Sequence, residues 1–181
     1  MKAVCATSCE NPSMSLLRSI CYQTETFSTA STRWECNHEK IVRNDYEKYA
    51  QYQHSNVKVE DCGLFLSEEY PRLGASPDDF VPCDCCGHGC MEIKCPYYMK
   101  DENIREGKCL KKVDGVLKLK TNNPYFYQVQ TQMLFSSMDY CEFIVWTDQE
   151  LFGQRILPCR SQLLSSRLWY CQNLLASTSI I

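Results

Sequence analysis

The sequence predicts a mixed α/β domain with a central β-sheet and helices packed on its faces. Segments with helical periodicity alternate with β-rich segments, in the order helix, strands, helix, strand, helix. The chain has 181 residues, which is long enough to bury a core without disulfide bonds. Its residues are 44% hydrophobic and 23% charged, as is typical of globular proteins.

The first half of the chain contains one predicted helix followed by short strands. Residues 31–51 have a capping Ser31 or Thr32 and apolar residues at helical spacing, namely Trp34, Ile41, Val42, Tyr46 and Tyr49. Two short extended pieces follow, one on each side of residues 61–63. Strands near 79–81 and 90–95 are joined by a short glycine-containing segment, which predicts a β-hairpin.

The second half begins with a segment, residues 97–121, that lacks periodicity and accumulates lysines. It is either a solvated loop or a mobile loop that contacts a nucleic-acid backbone through Lys108, Lys111, Lys112, Lys118 and Lys120. Asn123 and Pro124 then mark a helix start. The alternating segment "YCEFIVWT" predicts a strand, and "SQLLSSRLWYCQNLLA" predicts a closing helix.

Charge and hydropathy narrow the classes of partner. The net charge of −3 provides no general attraction to nucleic acid, so such a partner requires a local basic patch. No stretch approaches the roughly 18 apolar residues of a membrane span, and the N-terminus does not resemble a signal peptide. We therefore expect the 14 cysteines to be mostly reduced thiols of an intracellular protein.

A set of charged side chains on the two predicted hairpin strands could carry chemistry. Glu92 and Lys94 are two residues apart, so they point to the same side of a strand, whereas Ile93 points into the core. Pairing that strand with the one at Asp78 brings the two carboxylates together. Two carboxylates suit a hard divalent cation such as Mg²⁺. The same residues also occur on solvated hairpin faces, so spacing alone leaves both interpretations open.

Three motifs carry a resemblance to a known family. "LGASPDDFV", "MEIKCPY" and "NPYFYQVQTQM", in this order, resemble the motifs of the YqaJ-type viral recombinase domain, the lambda-exonuclease-like branch of the PD-(D/E)XK nuclease superfamily. The chain resembles that domain over residues 31–147. The resemblance implies a restriction-endonuclease-like core that cleaves DNA with Mg²⁺ or Mn²⁺. It divides the chain into an N-terminal helical segment, residues 1–30, and a nuclease domain, residues 31–181.

The resemblance also implies roles for individual residues. Asp78 and Glu92 match the metal-binding carboxylates, the Ile93 carbonyl matches a further metal ligand, and Lys94 matches the catalytic lysine. The remaining matches are Gln128, which lines the site, Tyr125 one turn earlier on the same face, and Glu39 in the first helix.

The chain departs from the family pattern at three places. Asp79 and Glu35 stand where glycine is usual, and the arginine-serine segment that holds the 5′-phosphate is not recognisable. We therefore expect an N-terminally shortened domain. The missing segment weakens the expectation of processive exonuclease action more than the expectation of a metal site. Relatives form ring-like trimers, which makes a homo-oligomer an expectation. The alternative function is a catalytically inactive, nuclease-like DNA-binding or zinc-stapled module.

The segment "PCDCCGHGC" contains residue types that could bind a structural zinc ion. Cys83, Cys85, His88 and Cys90, together with Cys86, have the right ligand types, but the spacing does not show two paired CxxC motifs. Two adjacent cysteines are also expected to bind one ion only with backbone strain. We favour a thiol-rich hairpin turn and keep structural zinc as the alternative.

Overall fold

The computed structural model describes residues 29–66 and 74–159. In these ranges the helices are α1 (Ala30–Gln53) and α2 (Pro124–Ser136), with short 3₁₀ turns at Tyr97–Met99 and Ile104–Glu106. The strands are β1 (Glu60–Asp61), β2 (Phe65–Leu66), β3 (Gly74–Ala75), β4 (Asp79–Cys83), β5 (Gly87–Lys94), β6 (Leu110–Val113), β7 (Val116–Leu119), β8 (Tyr140–Trp146) and β9 (Leu151–Ile156).

A five-stranded mixed sheet forms the centre of the molecule, in the order β1-β4-β5-β8-β9. Strands β4 and β5 are antiparallel neighbours, β5 and β8 run parallel, and β8 and β9 are antiparallel. Strands β2–β3 and β6–β7 form two further small hairpin-like pairs. The predicted mixed α/β architecture is confirmed.

Two hydrophobic cores lie against the central sheet. One core contains α1 residues with Met91 and Ile93 of β5, and the other contains α2 residues with Cys90 of β5. This division follows the two-residue alternation of a strand. Consequently Glu92 and Lys94 share the face that carries α2, whereas Ile93 is buried beneath α1, as predicted.

Helix α1 packs through residues spaced four apart. Trp34, Tyr46 and the buried Val42 and Ala50 belong to or contact one core, and they form one face of the helix. The cap is Thr29, whose hydroxyl accepts a hydrogen bond from the backbone N–H of Thr32 at 3.1 Å. Two apolar residues of the predicted pattern, Ile41 and Tyr49, lie in solvent instead.

The predicted hairpin between β4 and β5 is confirmed. Cys83 pairs with Gly87, so residues 84–86 form the turn. Gly87 has φ +87°, a conformation that glycine adopts without steric cost. A Cβ at this position would also lie 2.7 Å from Asp139 Oδ2.

The predicted loop at 97–121 is wrong in its second half, because β6 and β7 form a regular antiparallel hairpin there. Its two-residue turn is Asp114-Gly115, with φ of 50° and 81°. Asp-Gly between apolar residues is the sequence signal for such a turn, and the lysines obscured it. Strand β9 was also not predicted, since Gly153 interrupts a weak β pattern.

The later predicted elements that the structure describes are confirmed. Asn123 Oδ1 accepts from the Tyr125 N–H at 2.9 Å and caps α2, and β8 follows as expected. The N-terminal segment up to residue 28 and the closing helix at 161–176 lie outside the described residues. Within 29–66 and 74–159, no helix has the length and apolarity to cross a membrane.

Candidate active site

The side chains predicted for catalysis meet where β4 begins, β5 ends and α2 passes over them. Asp78 directly precedes β4, Glu92 and Lys94 are at the end of β5, and Gln128 extends from α2. The register brings Asp79 opposite Met91, which places Asp78 next to the Glu92 segment. The antiparallel hairpin therefore joins two acidic residues that lie 14 positions apart in the sequence.

Glu92 is the centre of the site. Its side chain is 1% exposed, yet both carboxylate oxygens have hydrogen-bond donors. Lys94 Nζ and Gln128 Nε2 donate to Oε1, the latter at 2.5 Å, and Gln132 Nε2 donates to Oε2 at 2.5 Å. A buried carboxylate without such partners would cost several kcal/mol, on the order expected for an unpaired buried charge. The donors thus hold the carboxylate in a fixed orientation.

Asp78 is fixed by the backbone of the neighbouring strand. Its Oδ2 accepts a hydrogen bond from the Ile93 N–H at 2.7 Å, and its own N–H donates to the Met91 carbonyl at 3.1 Å. The second of these bonds extends the backbone pairing of β4 and β5 by one residue. The carboxylate is therefore held against the backbone that joins Glu92 to Lys94.

The electrostatics show an excess of negative charge. Burial raises the pKa of Glu92 against the opposing effect of Lys94, and the Asp78 carboxylate raises that pKa further. Burial also raises the pKa of Asp78, against the effects of the Ile93 N–H and Lys94. Burial by itself lowers the pKa of Lys94, but Glu92 and Asp78 bring it above its ordinary value. Lys94 therefore remains an ammonium between the acids.

Glu39, on α1, belongs to the same electrostatic unit. Burial raises the pKa of this α1 residue, and the Asp78 carboxylate raises it further, while Lys94 lowers it. The Asp78 and Glu92 carboxylates thus both raise the pKa of Glu39, and Lys94 opposes them. The structure places Glu39 near the predicted acidic group.

Tyr125 lies beside the site and not in its centre. The Lys94 ammonium lies 5.7 Å from the centre of the Tyr125 ring, in a cation–π arrangement. Burial raises the pKa of the phenol despite the nearby lysine charge. The tyrosine hydroxyl is therefore protonated at neutral pH and can act as a hydrogen-bond donor.

The predicted DNA-binding lysines separate into two groups. Lys111 and Lys118 lie directly opposite each other on β6 and β7, and Lys112 is also exposed. Lys120 Nζ instead donates to the Lys108 carbonyl at 2.8 Å, a bond that joins the residue after β7 to the segment before β6. The structure gathers the lysines on one hairpin but shows no contact between them and the acidic site.

Gln132 is a site residue that the sequence interpretation missed. Besides Glu92, its Nε2 approaches the Ser76 carbonyl at 3.3 Å, while its Oε1 is buried without a hydrogen-bond partner among the described residues. The signal was present in the sequence, since Gln128 and Gln132 are four apart on α2 and must share one face. An unpartnered buried acceptor in a carboxylate site is a further oxygen available to an incoming donor.

The donor set fits a hard divalent cation. Such ions prefer carboxylate and carbonyl oxygens, which Asp78, Glu92 and the backbone of Ile93 supply. The Asp78 carboxylate raises the pKa of Glu92, so a bound cation would offset a repulsion that the protein alone leaves in place. The residues present are those that would hold Mg²⁺ or Mn²⁺.

Asp79, which stands where related sequences have glycine, points away from this site. The Asp79 side chain is 5% exposed, and its carboxylate pairs with the Arg43 Nε at 2.8 Å, while another nitrogen of Arg43 contacts Asp61 at 2.8 Å. Burial raises the pKa of Asp79 to about 7, against the influence of Arg43. The substitution therefore adds a link between α1 and the sheet without crowding Asp78.

The cysteine-rich turn lies at the opposite end of the hairpin. Cys83 and Cys85 approach each other there, with Sγ atoms 3.6 Å apart. His88 instead packs edge-on against Phe80, and Cys90 lies in the α2 core with its Sγ near the Tyr140 carbonyl. The structure therefore brings together only part of the predicted zinc ligand set.

The fold is similar to that of solved nucleases. A crystal structure of LHK-Exo in complex with dAMP superimposes with a TM-score of 0.66 at 24% identity, over 90% of this chain and 75% of that one. A second structure, of the alkaline exonuclease LHK-Exo from Laribacter hongkongensis, gives a TM-score of 0.65 at 23% identity over the same shares. No curated protein matches the chain. The family model for the YqaJ-like viral recombinase domain matches residues 1–139, and the chain therefore belongs to this family.

Proposed function

We propose that the protein is a divalent-metal-dependent DNA nuclease that hydrolyses phosphodiester bonds. The observation that carries the proposal is the buried Glu92, held by Lys94, Gln128 and Gln132 beside Asp78. Burying two interacting carboxylates destabilises the fold, and such destabilised arrangements are characteristic of functional sites. The membership of the family supports the same activity.

Each side chain has a distinct part in the proposed reaction. A bound Mg²⁺ or Mn²⁺ supplies stabilisation of negative charge on the phosphoryl group and lowers the pKa of water. Lys94, which stays charged, positions the attacking water and neutralises developing charge. Gln128 and Gln132 fix the Glu92 carboxylate, and Glu39 completes the acidic pocket. These residues and Asp78 form the proposed catalytic set, with Asp78, Glu92 and the Ile93 carbonyl as the proposed metal ligands.

The lysine hairpin β6–β7 is the proposed contact for the DNA backbone. Lys111 and Lys118 face each other across the strands, where like charges destabilise a hairpin in the absence of an anion. Phosphate oxygens would offset that repulsion. Since backbone contacts carry no sequence information, we expect weak base specificity. Lys108, Lys112, Lys120 and Tyr125 belong to the same proposed DNA-binding set.

We propose that the protein cleaves DNA as an exonuclease. The similar LHK-Exo is described as an alkaline exonuclease and was crystallised with dAMP. Mononucleotide release is therefore the expected outcome for this chain as well.

We further propose that the protein acts within the cell in DNA recombination, repair or mobile-element processing, and that it works as a homo-oligomer.

The proposal is tested with purified protein, linear duplex DNA and Mg²⁺. We expect the wild type to release nucleotides, and Lys94→Met and Glu92→Gln to lose activity by about a hundredfold or more. Lys94→Met removes the positive charge beside the reacting phosphate, and Glu92→Gln removes the charge of a proposed metal ligand. Lys48→Ala is the matched control, since Lys48 is an exposed residue of α1 that pairs with Asp45. Equal cleavage by all four proteins would indicate a contaminating nuclease and exclude the assignment.

The same four proteins distinguish the alternative function when binding of duplex DNA is measured beside its cleavage. A catalytically inactive DNA-binding module would bind duplex DNA in all variants and cleave it in none. The donors around Glu92 argue against this alternative, because a module without activity has no need to keep a destabilising pair of buried carboxylates.

A further inference from the structure

A second group of ligating side chains lies at the turn end of the β4–β5 hairpin. His54, Cys83, Cys85 and Cys86 each offer a ligand atom, and these atoms all lie within 4.8 Å of one another. His54 Nδ1 is 3.3 Å from Cys85 Sγ and 3.4 Å from Cys86 Sγ. Cys85 Sγ is 3.6 Å from the sulfur atoms of both Cys83 and Cys86.

These four distances are close to the edges of a tetrahedral metal site. Zn–S bonds of about 2.3 Å and Zn–N bonds of about 2.0–2.1 Å give tetrahedron edges of about 3.8 Å between sulfurs and about 3.5 Å between nitrogen and sulfur. A disulfide would instead bring two sulfurs to about 2.05 Å. Three thiolates and one imidazole form a closed ligand set typical of structural zinc. We propose that His54, Cys83, Cys85 and Cys86 bind one structural zinc ion.

The backbone brings the two parts of the cluster together without a metal. His54 ends α1, and the residues after it are bonded to the hairpin turn. The Asp84 N–H donates to the Ser55 carbonyl at 3.0 Å, and Asn56 Nδ2 donates to Asp84 Oδ2 at 2.6 Å. Asn56 has φ 51°, a left-handed conformation that asparagine tolerates. The ligand from α1 is therefore preorganised against the ligands from the turn.

The turn accommodates two adjacent cysteine ligands without the expected strain. Among the described residues, the non-glycine residues with positive φ are Asn56, Asp114 and Ser137, so neither Cys85 nor Cys86 is among them. Gly87 takes the left-handed position instead. Cys83 and Cys86 thus form a C-x-x-C pair followed by glycine, a spacing that the surrounding cysteines obscured in the sequence.

The surrounding charge suits a three-thiolate site. Three thiolates and a Zn²⁺ leave one net negative charge, and the Arg155 guanidinium lies next to it. Arg155 hydrogen-bonds to Cys86 and to Glu142 Oε1, the latter at 2.6 Å, and its other nitrogen lies 3.3 Å from His54 Nε2. Zinc on Nδ1 puts the imidazole proton on Nε2. With zinc bound, Nε2 would therefore no longer accept a hydrogen bond from Arg155, whereas the bonds of Arg155 to Cys86 and Glu142 would be unaffected.

The location of the cluster indicates a structural role. Gly87 and Glu92 are five strand positions apart, which corresponds to about 17 Å, so an ion here would not reach the carboxylates. It would instead link the end of α1, the helix that carries Glu39, to the hairpin that carries Glu92. This inference does not depend on the proposed nuclease function.

The first test is the metal content of the full chain purified under reducing conditions. We expect one zinc per chain by mass spectrometry in the wild type and in the controls Cys36→Ser and His88→Ala. Cys85→Ser and His54→Ala should lose most of it, because each removes one of four ligands. Glu92→Gln should retain its zinc, which separates this site from the acidic one. Retention of full zinc by both ligand variants would overturn the proposal.

Cobalt replacement gives a second measurement that does not depend on a variant's stability. Metal-free wild type loaded with Co²⁺ should show thiolate-to-cobalt charge transfer and the intense visible bands of tetrahedral cobalt. Zinc should displace these bands, and the thermal midpoint should rise when either metal is added. A wild type that binds no zinc, or gives cobalt spectra without thiolate charge transfer, would refute the site.

Discussion

The burial and the hydrogen-bond partners of Glu92 are properties that its residue type alone does not predict. The motif resemblance predicted Asp78, Glu92, Lys94 and Gln128, because family patterns report which residue types recur. It did not predict that the Glu92 carboxylate is almost completely buried, nor that Gln132 completes its donor set. Burial depends on how α2 packs over β5, which the local sequence does not specify.

The Asp78→Asn variant is expected to be inactive and more stable than the wild type. Asparagine keeps an oxygen for the Ile93 N–H but removes a charge whose ionisation burial disfavours. Because the folded-state pKa of Asp78 is raised, ionised Asp78 destabilises the fold at neutral and alkaline pH. The stability gained by Asp78→Asn should therefore shrink as the pH falls toward the ordinary aspartate pKa, because Asp78 of the folded wild type is already protonated there.

Thermal denaturation without added divalent cation measures this difference, and DNA cleavage measures the loss of activity. Asp45→Asn, at an exposed position of α1, is the control and should change neither quantity. A less stable Asp78→Asn protein, or one that still cleaves DNA, would contradict the assigned role.

At the scale of elements, the sequence predicted α1, the β4–β5 hairpin, α2 and β8, since each has strong periodicity or a clear turn or cap signal. It did not predict β6–β7 or β9. In β6 and β7 the frequent lysines hid the alternating pattern of a strand. Leu110 and Leu119 are buried because residues of α2 and β9 pack against them. The Leu119 N–H also donates to Gln154 Oε1 of β9 at 2.8 Å, a bond that joins two distant segments.

Replacing both Lys111 and Lys118 by alanine should weaken DNA binding without destabilising the protein. Removing one lysine–phosphate interaction reduces the slope of log affinity against log salt by about 0.9, so the slope of the double variant should be smaller by about 2. Relief of the cross-strand repulsion should leave the thermal midpoint unchanged or slightly higher.

The matched control is Lys48→Ala with Lys58→Ala, which removes two exposed lysines that do not belong to the hairpin. Fluorescence titration of labelled duplex at several salt concentrations gives both slopes. Equal slopes for the two double variants would show that β6–β7 does not contact DNA.

For the whole molecule, the sequence predicted the layered architecture but not the strand order. The parallel pairing of β5 with β8 joins residues 51 positions apart, and it depends on the packing of α2 and of α1 on opposite faces. The layers are also linked by charge, because Arg43 connects α1 to Asp79 of β4 and Asp61 of β1. Such long-range pairs leave no periodic signal in the chain.

Arg43→Ala should reduce the free energy of unfolding by about 3 kcal/mol at pH 8, because Asp79 would remain as an unpaired buried charge. The pKa of Asp79 is about 7 in the folded chain, compared with an ordinary value of 3.8. Between these values the folded state binds a proton that the unfolded state does not, so the loss should diminish as the pH falls.

Urea denaturation of both proteins across this pH range provides the measurement. Lys48→Ala, which removes only an exposed charge, should cost little at every pH. A loss that stays constant down to pH 4 would show that Asp79 does not protonate in the folded protein.

The parallel β5–β8 pair also has a kinetic consequence. The β4–β5 hairpin closes a short loop and can form early, whereas β8 joins β5 only after the intervening residues have been synthesised. A nascent chain on the ribosome thus displays Asp78, Glu92 and the thiol-rich turn before α2 exists to cover them. The glutamine donors arrive last, so a partly made chain has the acidic pair but lacks the groups that hold it in place.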